Sequence, residues 1–169
     1  CVVEIEWFGD FQNPFDGRFY NHTYPQIVRD FGEQVEFTFK HFPLNDIHDR
    51  ALPAAEAAEC ARDQGRFWEY ADHLFTNQQA LEDGHLEWYA TDLNMDVAGF
   101  NKCRNLDIHL DEIQEDFDEG TERGVRGVPH FFVNDQPIPG AQPYENFRRA
   151  INEELVACGG EPVAEEEEP

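Results

Sequence analysis

What narrows the fold most is the order in which β-rich and helical segments follow one another. Residues 2–8 are β-rich and partly alternating, which predicts a strand. After a loop over 9–12, Asn13-Pro14-Phe15-Asp16 opens a helix running to Phe31 and closed by Gly32. Asn13 suits the N-cap, Pro14 the first turn and Asp16 the positive end of the helix dipole. Residues 35–42 form a second strand, and a block of helices follows over 51–63, 67–75, 86–93, 97–103 and 108–122. Glycines then punctuate the approach to Val128-Pro129-His130, a short apolar strand ends at Asn134-Asp135, and residues 137–140 pair back as another strand. A helix over 144–155 closes the fold.

The pattern is therefore β-α-β, helices, β-β-α. The flanking units together make one four-stranded mixed sheet with helices on both faces, and the helical block is inserted between them. The expected class is α/β, thioredoxin-like, with a helical subdomain at about 49–122 inside a single domain of residues 1–158. Residues 159–169, with Gly159-Gly160, two prolines and four consecutive glutamates, read as a disordered acidic tail.

Composition limits the partners. Thirty-six acidic residues against twelve basic ones give a formal charge of -24, and only Lys40 and Lys102 are lysines. Nucleic acid and anionic membranes are poor partners for such a surface, because phosphate binding draws on Lys and Arg. The chain is not disordered on that account: 40% of it is hydrophobic, with fifteen Phe in periodic segments. No stretch approaches the roughly 18–20 apolar residues of a membrane span. An acid excess spread over the whole chain, with almost no lysine, is expected of proteins adapted to high salt, with an acidic patch for a cationic partner as the alternative.

Four cysteines, Cys1, Cys60, Cys103 and Cys158, show neither C-x-x-C nor zinc spacing. Two disulfides are arithmetically possible. Cys60 and Cys103 fall on apolar helix faces, so buried inert thiols are the expected state. No signal peptide is visible, and a start at Cys1 suggests a processed or trimmed chain. The seven histidines have no H-x-x-x-H or H-E-x-x-H spacing, so no metal site and no cofactor is expected.

The segment Glu6-Trp7-Phe8-Gly9-Asp10-Phe11-Gln12-Asn13-Pro14-Phe15-Asp16 resembles the active-site segment of the DsbA family of thiol–disulfide oxidoreductases. Further stretches agree in order and spacing: His41-Phe42-Pro43-Leu44, residues 54–68, residues 124–134, and residues 140–151 with Pro143-Tyr144-Glu145-Asn146-Phe147. The resemblance spans residues 2–155. It implies a cis proline at Val128-Pro129 and a Cys-Pro-x-Cys motif where this chain has Asn13, Pro14, Phe15 and Asp16. Both redox cysteines are absent. Members often carry a buried acid six residues before the first cysteine, and here that position is Trp7; Glu6, one residue away, faces the other side of the strand. The family chemistry needs a thiolate at the helix N-terminus, and neither an amide nor a carboxylate can form its mixed disulfide.

The resemblance thus implies oxidoreductase ancestry, while the residues imply a pseudoenzyme. The expected role is a redox-inactive module holding extended peptide or unfolded protein. Its groove is expected to comprise Phe11, Asn13, Pro14, Phe15, Asp16, Val128, Pro129 and His130, with His130 beside Asp16. The alternative is an oxidoreductase, or a glutathione-linked enzyme resembling the kappa-class transferases and their isomerase relatives, whose Ser-Pro-aromatic Asn13-Pro14-Phe15 weakly echoes. Placement outside the cytoplasm rests on family analogy alone.

Overall fold

The computed structural model describes residues 1–165. Its sheet has the order β2-β1-β3-β4, with β1 (Val3–Gly9), β2 (Val35–His41), β3 (His130–Val133) and β4 (Gln136–Pro139). β1 runs parallel to β2 and antiparallel to β3, which pairs antiparallel with β4. The mixed thioredoxin-like sheet expected from the element order is therefore present. Pro137 and Pro139 lie on β4, an edge strand, where a missing N–H costs least.

Strand alternation divides the core. Val3, Ile5 and Trp7 of β1 share a face with Phe131 and Val133 of β3, and meet Phe147 and Ile151 of α8 (Tyr144–Ala157). The opposite face carries Phe8 and Phe132, which cluster with Phe42, Val125 and Phe117 of α7 (Leu110–Glu122). Gly120 lets α7 approach: a Cβ there would lie 2.9 Å from ring carbons of both Phe8 and Phe42. Glu6 also points to this second face, where Arg123 binds both its carboxylate oxygens at 2.8 and 2.9 Å. Trp7 and Glu6 face opposite ways, as alternation requires.

The helix expected over 13–31 is broken. α1 (Pro14–Arg18) passes into a π-helical turn, Phe19–Thr23, before α2 (Tyr24–Phe31). Pro25 is the reason: it has no amide hydrogen for the Asn21 carbonyl, and its ring crowds that turn. Gly32, at φ 50°, ends α2 as expected.

Between β2 and β3 lie α3 (Ala51–Arg62), α4 (Phe67–Thr76), α5 (Asp83–Asp92), α6 (Val97–Asn105) and α7. The cysteines correct the expectation of inert thiols. Cys60 on α3 and Cys103 on α6 form one disulfide, and Cys1 and Cys158 form another, with Cα separations of 5.9 and 6.1 Å. Facing helices oppose Cys60 to Cys103, while the C-terminal end of α8 reaches the start of β1. Sequence separations of 43 and 157 residues correspond to about 4 and 5 kcal/mol of unfolded-chain constraint.

The C-terminal segment returns along α8 as far as it is described. Arg148 and Asn152 donate to the Val163 carbonyl, and the Val163 amide donates to Asn152 Oδ1 at 2.8 Å. To that point it is held by side-chain hydrogen bonds, not left as a free tail. Residues 166–169, the rest of the expected tail, lie outside the described residues. No helix among the described residues is long and apolar enough to cross a membrane.

Candidate functional site at the start of helix α1

The site grows from β1. Trp7 is fully buried in a box of rings, stacked on Phe75 with centroids 5.1 Å apart and edge-on to Phe19 and Phe39 at 4.8 and 5.1 Å. A buried indole still needs an acceptor for its N–H. That acceptor is Asp16: Trp7 Nε1 donates to Asp16 Oδ1 at 2.8 Å. Gly9 makes room, since a Cβ there would come within 2.8 Å of both Trp7 Nε1 and Asp16 Oδ1.

Asp16 Oδ2 accepts from the Asp10 amide at 3.2 Å and from Asn13 Nδ2 at 2.9 Å. The carboxyl is fully buried, and that burial pushes its pKa well above the usual carboxylate range, against the opposing hydrogen bonds from Asn13 and Trp7. Asp16, expected as a dipole partner in the first turn, is thus also an internal acceptor. Asn13 departs similarly. Its backbone is extended at the N-cap, but its side chain makes no capping bond. Instead Nδ2 bonds Asp16 and also donates to the Val128 carbonyl at 2.9 Å, tying α1 to the loop before β3.

Two side chains not anticipated from the sequence brace this start. Asp10 Oδ1 accepts from the Gln12 amide, while Oδ2 accepts from the Leu44 amide and meets His48 Nδ1 at 2.8 Å. Gln78 donates to the carbonyls of Phe11 and Asn13 at 3.0 and 2.7 Å. An acid in a short loop before a helix is a cue for Asp10, since such side chains bond nearby amides. Gln78 lies 65 residues from Asn13 in sequence, and no local signal announces it.

The Val128–Pro129 bond is cis, as the resemblance implies. Asn13, Pro14 and Phe15 stand at one side of the Asn13–Val128 bridge, with Pro14 and Phe15 exposed. Beside Val128 and Pro129 opens a cleft of about 470 Å³, lined also by Arg126, Gly127, His130 and Pro139. Among the described residues the Val128 N–H meets no acceptor.

One expected groove member is core, and another lines the cleft without reaching Asp16. Phe11 is 1% exposed and stacks on Phe39 at 4.8 Å, so it is core. His130 reaches the cleft but not Asp16. It pairs with Phe8 and shares the sheet face of Phe132, whereas Trp7, which holds Asp16, faces the other way. Burial, reinforced by Arg123, lowers its pKa and favours the neutral ring.

A family model described as Thioredoxin matches residues 2–153. Among curated relatives, the chain is 34% identical over 149 residues to a Na(+)/H(+) antiporter NhaA 1 of Salinispora arenicola, covering 88% of this chain and 22% of that protein. It is 31% identical over 148 residues to the antiporter of the same name from Mycolicibacterium gilvum, covering 85% of this chain and 24% of that one. The chain therefore spans less than a quarter of the length of these relatives. Among solved structures, a thioredoxin-like oxidoreductase from Silicibacter pomeroyi has a TM-score of 0.81 at 19% identity, covering 91% of this chain and 87% of that one. Oxidised BdbD from Bacillus subtilis has 0.80 at 22%, covering 91% and 88%. Wolbachia pipientis α-DsbA1 has 0.78 at 18%, covering 94% and 89%.

Proposed function

This chain belongs to the thioredoxin family, and from that premise we propose that it is a DsbA-like, redox-silent module holding extended peptide. The observation that carries the proposal is the bond network at the start of α1. Asn13 and Asp16 stand where the family has cysteines, and Asn13 bonds both Asp16 and the Val128 carbonyl. Thiol exchange needs a sulfur at that position to attack a disulfide, and an amide so engaged offers none. Asn13 also lacks the serine hydroxyl that glutathione-linked relatives carry at this position.

What persists is a surface suited to main-chain recognition. The open N–H of Val128 and the second lone pair of its carbonyl can pair with an added strand, and exposed Pro14 and Phe15 supply apolar contact. Two disulfides favour an oxidising compartment. The acidic surface, at -24, fits a salty one.

The test has two arms. The natural chain should give no turnover in insulin reduction or thiol oxidation, whereas Asn13→Cys/Asp16→Cys should gain it from zero. A labelled unfolded peptide should bind the natural chain, with affinity reduced several-fold by Phe15→Ser. Turnover by the natural chain, or peptide binding indifferent to Phe15, would refute the reading.

The names of the relatives favour a second, compatible reading: the domain accompanies a Na+/H+ antiporter outside the membrane, as one part of a longer polypeptide or assembly. Recovery of an antiporter in the same chain or complex from native membranes would support it. A native protein of this length with no such partner would not.

A further inference from the structure

Three elements meet at a cluster that the α1 site does not use. Cys60 of α3 is joined to Cys103 of α6, and their sulfurs and a ring nitrogen of His109, which precedes α7, lie within 4.8 Å of one another. Asp63, just beyond α3, places Oδ2 2.6 Å from His109 Nε2 and 3.7 Å from Cys103 Sγ. Glu112 engages Nδ1 of the same ring, so each ring nitrogen meets a carboxylate. Cys60 is buried, while Cys103 and His109 are half-buried, so a small reductant and an ion can reach the cluster.

We propose that reduction of the Cys60–Cys103 disulfide creates a Zn2+ site, with Cys60, Cys103 and a ring nitrogen of His109 as its protein ligands.

The donor set is one zinc prefers, two thiolates and an imidazole, with the fourth position open to water. Tetrahedral bonds of about 2.0–2.3 Å hold ligand atoms roughly 3.3–3.8 Å apart. The two sulfurs and the ring nitrogen already lie within 4.8 Å of one another, so side-chain adjustment brings them to that spacing. With Glu112 on Nδ1 and Asp63 on Nε2, the nitrogen away from the metal keeps the outer carboxylate that orients a metal-binding histidine and fixes its tautomer. Glu59 also faces the ring, but His41 and Arg62 already engage it.

The steps balance. A dithiol reductant delivers two electrons and two protons: the Cys60–Cys103 S–S bond breaks, two S–H bonds form, and the reductant closes its own disulfide. Zn2+ then displaces both thiol protons and any proton on the ring nitrogen it binds, and these pass to solvent. No sequence motif signals this site, because its ligands come from three elements brought together only by folding.

The experiment uses the full chain carrying Cys1→Ser and Cys158→Ser, which removes the other thiol pair. It is reduced with a phosphine, freed of reductant and titrated with Co2+. The reduced chain should develop thiolate-to-cobalt charge transfer and tetrahedral d–d bands saturating at about one equivalent, and the unreduced chain should show neither. His109→Gln should weaken binding at least about tenfold. Circular dichroism follows the same samples, and Zn2+ should raise the Tm of the reduced chain by about 5 °C or more, an increase lost in His109→Gln. A folded, reduced chain without the charge-transfer band overturns the proposal, as does equal affinity in His109→Gln. So does a reduced chain that unfolds and is not restored by Zn2+.

Discussion

The indole of Trp7 donates to the carboxyl of Asp16 at 2.8 Å, joining the central strand to the first helix inside the core. Each residue answers a need of the other: a buried N–H requires an acceptor, and a buried carboxyl requires donors. Changing either Trp7 or Asp16 alone takes from the other one of its hydrogen-bond partners.

Trp7→Phe should therefore cost more than its change in ring size. It removes one of three donors from a fully buried carboxyl, an expected loss of about 1–3 kcal/mol. Urea unfolding of Trp7→Phe, Asp16→Asn and the double variant would reveal coupling above about 0.5 kcal/mol. Strict additivity would mean that the bond carries no coupling.

Asp16 predicts a pH dependence of unusual sign. Its folded pKa lies above the unfolded value, so the folded state holds the proton longer. That contribution is present below about pH 4 and declines as pH rises through the raised value, by at most about 1.4 kcal/mol per pH unit. Comparing unfolding of the natural chain and Asp16→Asn across pH isolates it, because other groups titrate in both. The natural chain's advantage should shrink with rising pH.

Glu59 acts in the opposite direction. Burial would raise it, but His41 at 2.7 Å and Arg62 override that and hold its pKa at about 2. The stability it confers is complete above the unfolded value near 4.5 and is lost as pH falls toward about 2, on the order of 3 kcal/mol in all. Glu59→Ala should cost about 3–5 kcal/mol near neutrality by stranding His41. It should also flatten the acid limb of a Tm-versus-pH curve; an unchanged limb would assign acid unfolding to other carboxylates.

A charge of -24 repels itself in dilute buffer. As the Debye length contracts from about 10 Å at 0.1 M to about 3 Å at 1 M, that repulsion is screened. The urea midpoint should rise steadily from dilute buffer to molar NaCl, and insensitivity to salt would remove the proposed adaptation to salt.

The elements themselves were legible. Strand alternation over 2–8, the Pro14 start and the Gly32 stop are local signals, and the sheet they predict is the one observed. The exception, the π turn before Pro25, has a local cause that helical periodicity overlooks. Sites were less legible. Phe11 and His130 lie close in sequence to groove residues, but packing sends Phe11 into the core and strand parity turns His130 away from Asp16.

The sequence by itself determined the element order, the class of fold, the acidic surface and the absence of cysteine at positions 13 and 16. These depend on residue identity and short-range periodicity. Only the tertiary structure decided that Asn13 reaches Val128, that Trp7 serves Asp16, that Gln78 braces the helix start and that the cysteines pair. Those are contacts between residues as many as 157 positions apart. A buried polar group takes whichever partner the fold brings within about 3 Å, and nothing in its own neighbourhood of sequence encodes which one that is.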